Sequence, residues 1–250
     1  MTRGRRAAVR TEAGLLVLWD AVPAGTIPPG SVPARGVSPG SVPAGGVSPG
    51  SVPAGGVSPG SVPAGGVPSG EIHLAVATVD EWISDVVERS DPDLGKQWLI
   101  GALRSGAVEH DTGLVPGWTA RTDKYPDELA TAMVRAHLTF RSARQRRVML
   151  DRGDLFPLTQ DRLDTVRNVT LVLFGLNRMW VPQLSGLSAL AESLPLAPAG
   201  LPARLDALLT ATPASAVPAA DALISETLIL IARHLPDAGA ATALGRLSAG

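Results

Sequence analysis

The sequence contains no cysteine, which excludes disulfides and thiolate metal sites. Lysine is nearly absent, since Lys96 and Lys124 are the only two among 22 basic residues. With 23 acidic residues the formal net charge is −1, so the chain lacks the basic excess typical of nucleic-acid-binding proteins. We therefore expect no nucleic-acid partner.

Long hydrophobic runs are also missing. The best candidates, Leu171–Leu176 and Leu228–Ala232, fall well short of the ~20 residues that a membrane-spanning helix needs. The apolar run Leu15–Trp19 follows several arginines, as in an export signal, but Glu12 and Asp20 interrupt that pattern. We therefore expect a cytoplasmic chain without a membrane partner.

The four histidines are dispersed, and no two of them stand at i,i+4 spacing. This predicts no metal site. The sequence also contains no Ser-His-Asp order, no Walker loop and no dinucleotide-binding fingerprint. The common signatures of hydrolases and of nucleotide-binding enzymes are therefore missing.

Glycine and proline are concentrated in one segment. Residues 21–70 hold 13 of the 27 glycines and 11 of the 22 prolines, and from Gly30 to Gly66 the decapeptide Gly-Ser-Val-Pro-Ala-Gly-Gly-Val-Ser-Pro recurs almost unchanged. Each copy contains two Pro/Gly turns, and its isolated valines cannot offset the entropy lost on ordering. We interpret the repeat as a disordered linker that arose by tandem expansion. An elastomeric spacer is the alternative, because Val-Pro-Ala-Gly-Gly resembles the elastin-like pentapeptide.

The repeat divides the chain into four predicted parts. Residues 1–29 are expected to form a poorly ordered segment that contributes to no core, and residues 30–70 are the disordered repeat. Residues 71–240 are expected to form the folded domain, and residues 241–250 a frayed tail. Only the third part has the hydrophobic periodicity that a core requires.

The folded part is predicted to be mainly α, an antiparallel helical bundle preceded by one β-strand. Glu71–Ala77 alternates between polar and apolar residues, which predicts the strand, and the Thr78/Glu81 pair predicts a capping box at the next helix. The main helices are expected over Leu94–Ser105, from Pro126 to about Leu150, over Gln160–Trp180 and over Pro218–Leu235, with shorter ones at Leu184–Ser193 and Leu201–Leu209. Val169–Leu176 is apolar nearly all round, so its helix should be central.

Five segments of this part carry recognisable motifs: E-I-H-L-A-V at 71–76 leading to V-D-E-W, W-L-I-G-A-L-R-S-G-A-V-E-H-D-T-G at 98–113, the helix after Tyr125-Pro126, R-G-D-L at 152–155 and L-F-G-L-N-R-M-W-V-P at 173–182. In this order they resemble the C-terminal part of minimal nucleotidyltransferases of the DNA polymerase β superfamily, the group that includes aminoglycoside-type enzymes. The resemblance implies a helical domain that follows a catalytic sheet and helps to hold the acceptor substrate.

The sequence departs from that family in the catalytic core. The family has Gly-Ser at a helix start, Asp-x-Asp on a strand and a third carboxylate, which together hold two metal ions and the nucleoside triphosphate. Upstream of Glu71 this chain has only Glu12 and Asp20, and Asp91-Pro92-Asp93 follows the strand instead of preceding it. Glu71, or His73, falls near the third-carboxylate position. No other catalytic residue and no cofactor are assigned, and Mg²⁺ with a nucleoside triphosphate is expected only if a catalytic core is present elsewhere.

Four residues are predicted to contribute to a weak acceptor pocket, namely Arg152, Asp154, Asn177 and Arg178. A backbone-capping role is the alternative for Asn177 and Arg178, and Arg152-Gly153-Asp154 is interpreted as an inter-helix turn. A second group, Arg141, Arg144, Arg146 and Arg147, is predicted to stabilise the C-terminal end of a helix through its dipole, with contact to an anionic substrate as the alternative.

These patterns predict a nucleotidyltransferase-like protein that retains the helical acceptor-side domain, lacks the catalytic carboxylates and is inactive alone. A helical protein-interaction module on a flexible spacer is one alternative, and a truncated or mis-started gene product is the other. The sequence names neither the acceptor nor the oligomeric state, and it leaves open whether the partner is a small molecule or a protein.

Limited proteolysis tests the predicted boundary. Because the repeat cannot bury enough apolar surface to order itself, proteases should cut within residues 30–66 and leave a resistant fragment that begins near Glu71. Mass spectrometry of the fragments gives the cut sites, and protection throughout 30–66 would contradict the boundary.

Overall fold

The protein is described by a computed structural model, which describes residues 5–11, 14–20, 70–181 and 187–248. The repeat, predicted over residues 30–70, lies outside the described residues except for Gly70. Within them the chain is mainly helical, as the sequence predicts, but it also contains a small sheet instead of a single strand.

The sheet has four strands: β1 (Arg5–Thr11), β2 (Gly14–Trp19), β3 (Gly70–Ala75) and β4 (Ala107–Asp111). Their order is β3-β2-β1-β4. β1 runs antiparallel to β2 and β4, and β2 runs parallel to β3. The predicted strand is therefore β3, at one edge of the sheet, and β4 lies at the other edge.

The prediction that the N-terminal segment is poorly ordered and builds no core is wrong, because it supplies both inner strands. Val9, Leu16 and Leu18 are fully or almost fully buried in the main core. Consecutive residues of both strands are buried, so the two inner strands are covered on both faces. Such strands give continuous apolar runs, and this is why Leu15–Trp19 looked like part of an export signal. Since β2 pairs with β3, a chain cut in the repeat should keep its N-terminal strands bound.

Ten helices account for most of the remaining described residues: α1 (Val76–Arg89), α2 (Leu94–Ser105), α3 (Val115–Arg121), α4 (Asp127–His137), α5 (Ala143–Arg152), α6 (Leu155–Leu176), α7 (Leu187–Glu192), α8 (Leu201–Thr210), α9 (Pro213–His234) and α10 (Ala240–Ser248). The bounds of α2 match the prediction, and the Asp93 side chain caps its N-terminus by accepting from the Lys96 amide at 3.0 Å.

Several predicted helix boundaries differ from the structure, since α6 begins at Leu155 and α9 at Pro213, each five residues before its predicted start. Two further differences have clear local reasons. The helix expected from Pro126 to Leu150 is split into α4 and α5, because Ser142 and Gln145 form a reciprocal capping box that starts a new helix. The Thr78/Glu81 pair caps nothing, because β3 leads directly into α1 at Val76.

The predicted frayed tail is also wrong. After a short 3-10 helix at Pro236–Ala238, α10 packs against α9 and buries Ala240 and Ala243 in the core. The small alanine side chains of this region are buried in the core, although an Ala/Gly-rich composition predicts little packing. The folded part therefore extends beyond residue 240.

Helix α6 is the central element, as predicted. Val169 to Leu176 are all buried, and the helix contacts α4, α5, α8 and α9. Its first half is different, because Leu163 is 51% exposed and polar residues share the inner face with Leu158. The continuous buried apolar surface of α6 therefore lies in its C-terminal half.

Helix α9 is long and apolar enough to cross a membrane by length and composition alone. In this structure one face of the helix, including Leu223, Ile224 and Ile231, is buried against neighbouring helices, notably α6 and α10, while Ile229 on another face is 48% exposed. Its composition is thus explained by packing in the core, and the cytoplasmic location stays a prediction.

A pair of glycine substitutions tests the contact between α4 and α6. A Cβ added at Gly175 would lie 2.9 Å from Met133 Cβ and 3.3 Å from the Ala130 carbonyl oxygen, whereas one at Gly117 in α3 would meet nothing within 4 Å. We expect Gly175→Ala to cost ~1–3 kcal/mol. Gly117→Ala should be neutral, or stabilising by up to ~1 kcal/mol through helix propensity. Urea unfolding measures both values, and equal effects would contradict the close approach.

Candidate functional site

Three of the motifs singled out in the sequence meet at one cleft of about 350 Å³. Helix α2 contributes its last turns, the segment between α3 and α4 contributes the second wall, and the residues after α6 contribute the third. We call this site the aromatic cleft; it is lined by Gly101, Arg104, Ser105, Asp123, Tyr125, Arg178, Met179 and Trp180.

Two aromatic rings form one side of the cleft. The centroids of Tyr125 and Trp180 lie 4.7 Å apart with the rings tilted by 48°, and the Trp180 indole donates to the Thr122 carbonyl oxygen at 3.0 Å. Burial raises the pKa of the Tyr125 phenol, so the hydroxyl stays protonated across the physiological range. The pair therefore offers a fixed apolar surface beside a polar rim.

Arg104, near the end of α2, holds the segment between α3 and α4 in place. Its guanidinium donates to the carbonyl oxygens of Thr122 at 2.8 Å and Thr119 at 3.3 Å, and it lies 3.6 Å from the Asp123 carboxylate. One side chain at the end of α2 thus holds the segment that carries Tyr125. Its donors are largely used by the protein, which gives Arg104 a positioning role.

Arg178 has a backbone conformation that is rare for arginine. The amide of Met179 donates to the Phe174 carbonyl at 3.0 Å and that of Arg178 to the Gly175 carbonyl at 3.1 Å, which is the Schellman pattern at a helix end. In that pattern the residue in the left-handed region is usually glycine, but here it is Arg178, with φ 53°. Its side chain forms an exposed ion pair with Asp127 at 2.5 Å.

Asn177 has the alternative predicted role, which is to cap backbone groups. Its amide nitrogen donates to the carbonyl oxygens of Leu173 at 2.8 Å and Leu196 at 2.9 Å, and its oxygen accepts from the Leu196 amide at 2.8 Å. The side chain thus ties the end of α6 to the segment before α8.

Arg152 and Asp154 lie at the other end of α6. A helix of 22 residues is about 33 Å long, so the structure does not bring these two residues together with Asn177 and Arg178. Both are exposed, and between them Gly153 adopts φ 70° at the end of α5. This supports the interpretation of Arg152–Asp154 as an inter-helix turn. Of the four predicted pocket residues, only Arg178 lines the aromatic cleft.

The predicted third-carboxylate position lies on β3. The backbone of Glu71 pairs with Leu15, and two residues further on His73 accepts a hydrogen bond from the Trp19 indole at 3.0 Å and stacks on its ring. Within the described part of the chain, no group of three or more metal-ligating side chains is present. His73 thus contributes to the packing of the sheet.

The arginine cluster does not stabilise a helix C-terminus, so that interpretation is wrong. Because Ser142 starts a new helix, Arg144, Arg146 and Arg147 lie in the N-terminal half of α5, where the dipole disfavours cations. Arg146 is fully buried and pairs with Asp161 at 2.8 Å and Asp221 at 2.7 Å, which links α5, α6 and α9. Nothing in the charge pattern of the sequence distinguishes this buried arginine from its exposed neighbours.

Residues 94–184 match the family described as "Domain of unknown function (DUF4037)". The match covers just over a third of the chain and includes every residue that lines the aromatic cleft. No curated protein matches the chain, and no solved structure does.

Two substitutions at one position test the strain at Arg178. Arg178→Ala and Arg178→Gly both remove the exposed ion pair with Asp127, but only glycine adopts φ 53° without a Cβ penalty. We expect the glycine variant to be more stable than the alanine variant by ~1 kcal/mol, as measured by thermal or urea unfolding. If the two variants are equally stable, the left-handed conformation is not strained.

Proposed function

We propose that this chain is the acceptor-side helical part of a nucleotidyltransferase-like protein, that the aromatic cleft holds the acceptor, and that the chain alone transfers no nucleotide. The observation that carries the proposal is the convergence of three separate motifs on that cleft. Gly101, Tyr125 and Arg178 come from three of the five segments that resemble the nucleotidyltransferase group, and they line one hollow.

The chemistry of the cleft suits an acceptor better than a triphosphate. Its two arginines already face carboxylates, Arg104 that of Asp123 and Arg178 that of Asp127, so little free positive charge is left for phosphates. The aromatic pair supplies an apolar surface, and the ion pairs supply both donors and acceptors to hydroxyl or amino groups. In this proposal Arg178 and the rings bind and orient the acceptor, Arg104 holds the wall in position, and no residue of the cleft acts on phosphorus.

A protein-interaction module is the second candidate, and one observation favours it. Where α5 turns into α6, Leu155 is 64% and Phe156 82% exposed, and Val148 in α5 is 39% exposed. Contiguous exposed apolar patches are typical of sites that bind other proteins. Both functions are compatible, since this surface lies at the opposite end of α6 from the aromatic cleft.

Calorimetry with nucleoside triphosphates and Mg²⁺ tests the proposal that the chain alone transfers no nucleotide. Nucleotidyl transfer needs clustered carboxylates that hold divalent metal ions beside the triphosphate. We therefore expect no metal-dependent binding and no transfer of a nucleoside monophosphate by the isolated chain. Tight binding that requires Mg²⁺ and disappears in Glu71→Gln would contradict the proposal.

A separate binding experiment tests the proposal that the aromatic cleft holds the acceptor. An aminoglycoside, the acceptor type that the resemblance implies, serves as the probe in ligand-detected NMR, and its binding should be lost in Trp180→Ala. Phe156→Ala is the matched control, because it also removes one aromatic ring but lies at the far end of α6. Binding that persists in Trp180→Ala would place the acceptor elsewhere.

A further inference from the structure

A second cleft, of about 1120 Å³, opens where the residues between α4 and α5 face α6. One of its walls is a stripe of polar residues at helical spacing on α6: Asp161, Asp164, Thr165 and Asn168. Asp161, Thr165 and Asn168 are only 4%, 2% and 6% exposed. Polar side chains buried on a core helix are costly unless they find partners, so a stripe of them along an open volume indicates a site for a polar ligand. We call it the polar cleft.

One carboxylate of the stripe is already neutralised. Asp161 accepts from the buried Arg146 at 2.8 Å and lies 3.5 Å from the Arg141 guanidinium. Arg146 in turn pairs with Asp221, so this group is held rigidly from behind the cleft. Asp161 therefore fixes the wall, and the groups available to a ligand lie further along α6.

The other polar side chains at the cleft keep some hydrogen-bonding atoms without a partner among the described residues. Asp164 accepts one hydrogen bond, from Gln160, at its Oδ1 atom. The amide nitrogen of Asn168 donates to Thr139, while within the described residues its oxygen accepts no hydrogen bond. Arg167 forms no ion pair with any residue that the structure describes. The cleft thus presents a carboxylate and an amide oxygen beside an uncommitted guanidinium.

The lining carries no net formal charge. Arg141 and Arg167 balance Asp161 and Asp164. Burial, together with the nearby Arg167, lowers the pKa of His137 to about 4, so its imidazole is neutral at pH 7. Separated charges of both signs in a neutral site favour a ligand that also carries both signs over a simple cation or anion.

A second hollow of about 200 Å³ shares part of this wall, and we call it the apolar hollow because six of its nine lining residues are apolar. Leu138, Phe140, Arg141 and Gln145 line both hollows. The other walls of the apolar hollow come mainly from α9 and α10, through Ile224, Leu228, Ala243 and Leu247. A volume of this size accommodates a short aliphatic or single-ring group directly beside the polar cleft.

We propose that the two hollows together bind one small zwitterion, an amino-acid-like molecule with an apolar side chain. Its ammonium group donates to Asp164 and to the Asn168 oxygen, its carboxylate pairs with Arg167, and its side chain enters the apolar hollow beside Phe140. The site is separate from the aromatic cleft, because no residue that lines either of its two hollows also lines that cleft. The proposal therefore stands independently of the proposed function.

Titration calorimetry with free leucine and phenylalanine tests it. We expect binding that is measurable at ligand concentrations up to about 10 mM. Two analogues of leucine are the chemical controls: 4-methylpentanoate lacks the ammonium group, and isoamylamine lacks the carboxylate. Each should bind about tenfold more weakly or worse, since each loses a charge-assisted contact. Absence of leucine and phenylalanine binding, or equal binding of the analogues, would overturn the proposal.

Variants then locate the site. Asp164→Asn and Arg167→Gln each remove one charge from a partly exposed position, and each should weaken leucine binding about tenfold. Arg152→Gln is the matched control, an exposed arginine outside both hollows, and should bind as the unaltered chain does. Ala243→Leu fills the apolar hollow, so it should weaken leucine binding but leave glycine binding unchanged. Thermal unfolding verifies that each variant is folded, and unchanged leucine binding in both charge variants would overturn the site.

Discussion

The fold depends on the burial of the second half of α6. Eight consecutive residues, Val169 to Leu176, are shielded on every side, so other helices must cover all faces of that segment. The closest of these contacts is possible only because Gly175 has no Cβ, which lets α4 approach to van der Waals contact with the α6 backbone. A helix enclosed in this way cannot display functional side chains along its buried half. Its chemistry is therefore confined to its two ends and to its more polar first half.

That confinement explains where the clefts are. At the C-terminal end, Arg178 occupies the left-handed position of a Schellman motif, where glycine would be less strained. The strain is consistent with a requirement for a side chain at that point, beside Trp180 and Tyr125. In the first half, the buried pair of Arg146 and Asp161 fixes the polar wall and lets Asp164 and its neighbours face open volume. The same helix thus supports one cleft through backbone geometry and the other through a buried charge pair.

Sequence patterns predicted the elements whose periodicity is unambiguous. Val169–Leu176 identified the central helix, and the alternation after Gly70 identified β3, because burial on all sides or on one face produces a distinct period. They failed at β1 and β2, because inner strands covered on both faces have no alternation and stood next to a repeat that suggested disorder. The apolar spacing also predicted α4 and α5 as one helix, although Ser142 and Gln145 form a capping box, which is a signal for a helix start. Of the four predicted pocket residues only Arg178 lines the aromatic cleft, and Arg104 and Tyr125 reach the cleft only through tertiary packing.

The sheet gives a physical reason why a tandem repeat is tolerated at this position. β2 and β3 are parallel neighbours, so the chain between them must return from the end of one strand to the start of the other, a connection that needs a dozen residues or more. Residues 21–69 far exceed that length whatever path they take. Once a connection is long, the free-energy cost of closing it rises slowly, by only ~0.6 kcal/mol for each doubling of its length. Gain or loss of a decapeptide therefore changes the stability of the sheet very little, and selection on folding would not oppose an expansion at this point.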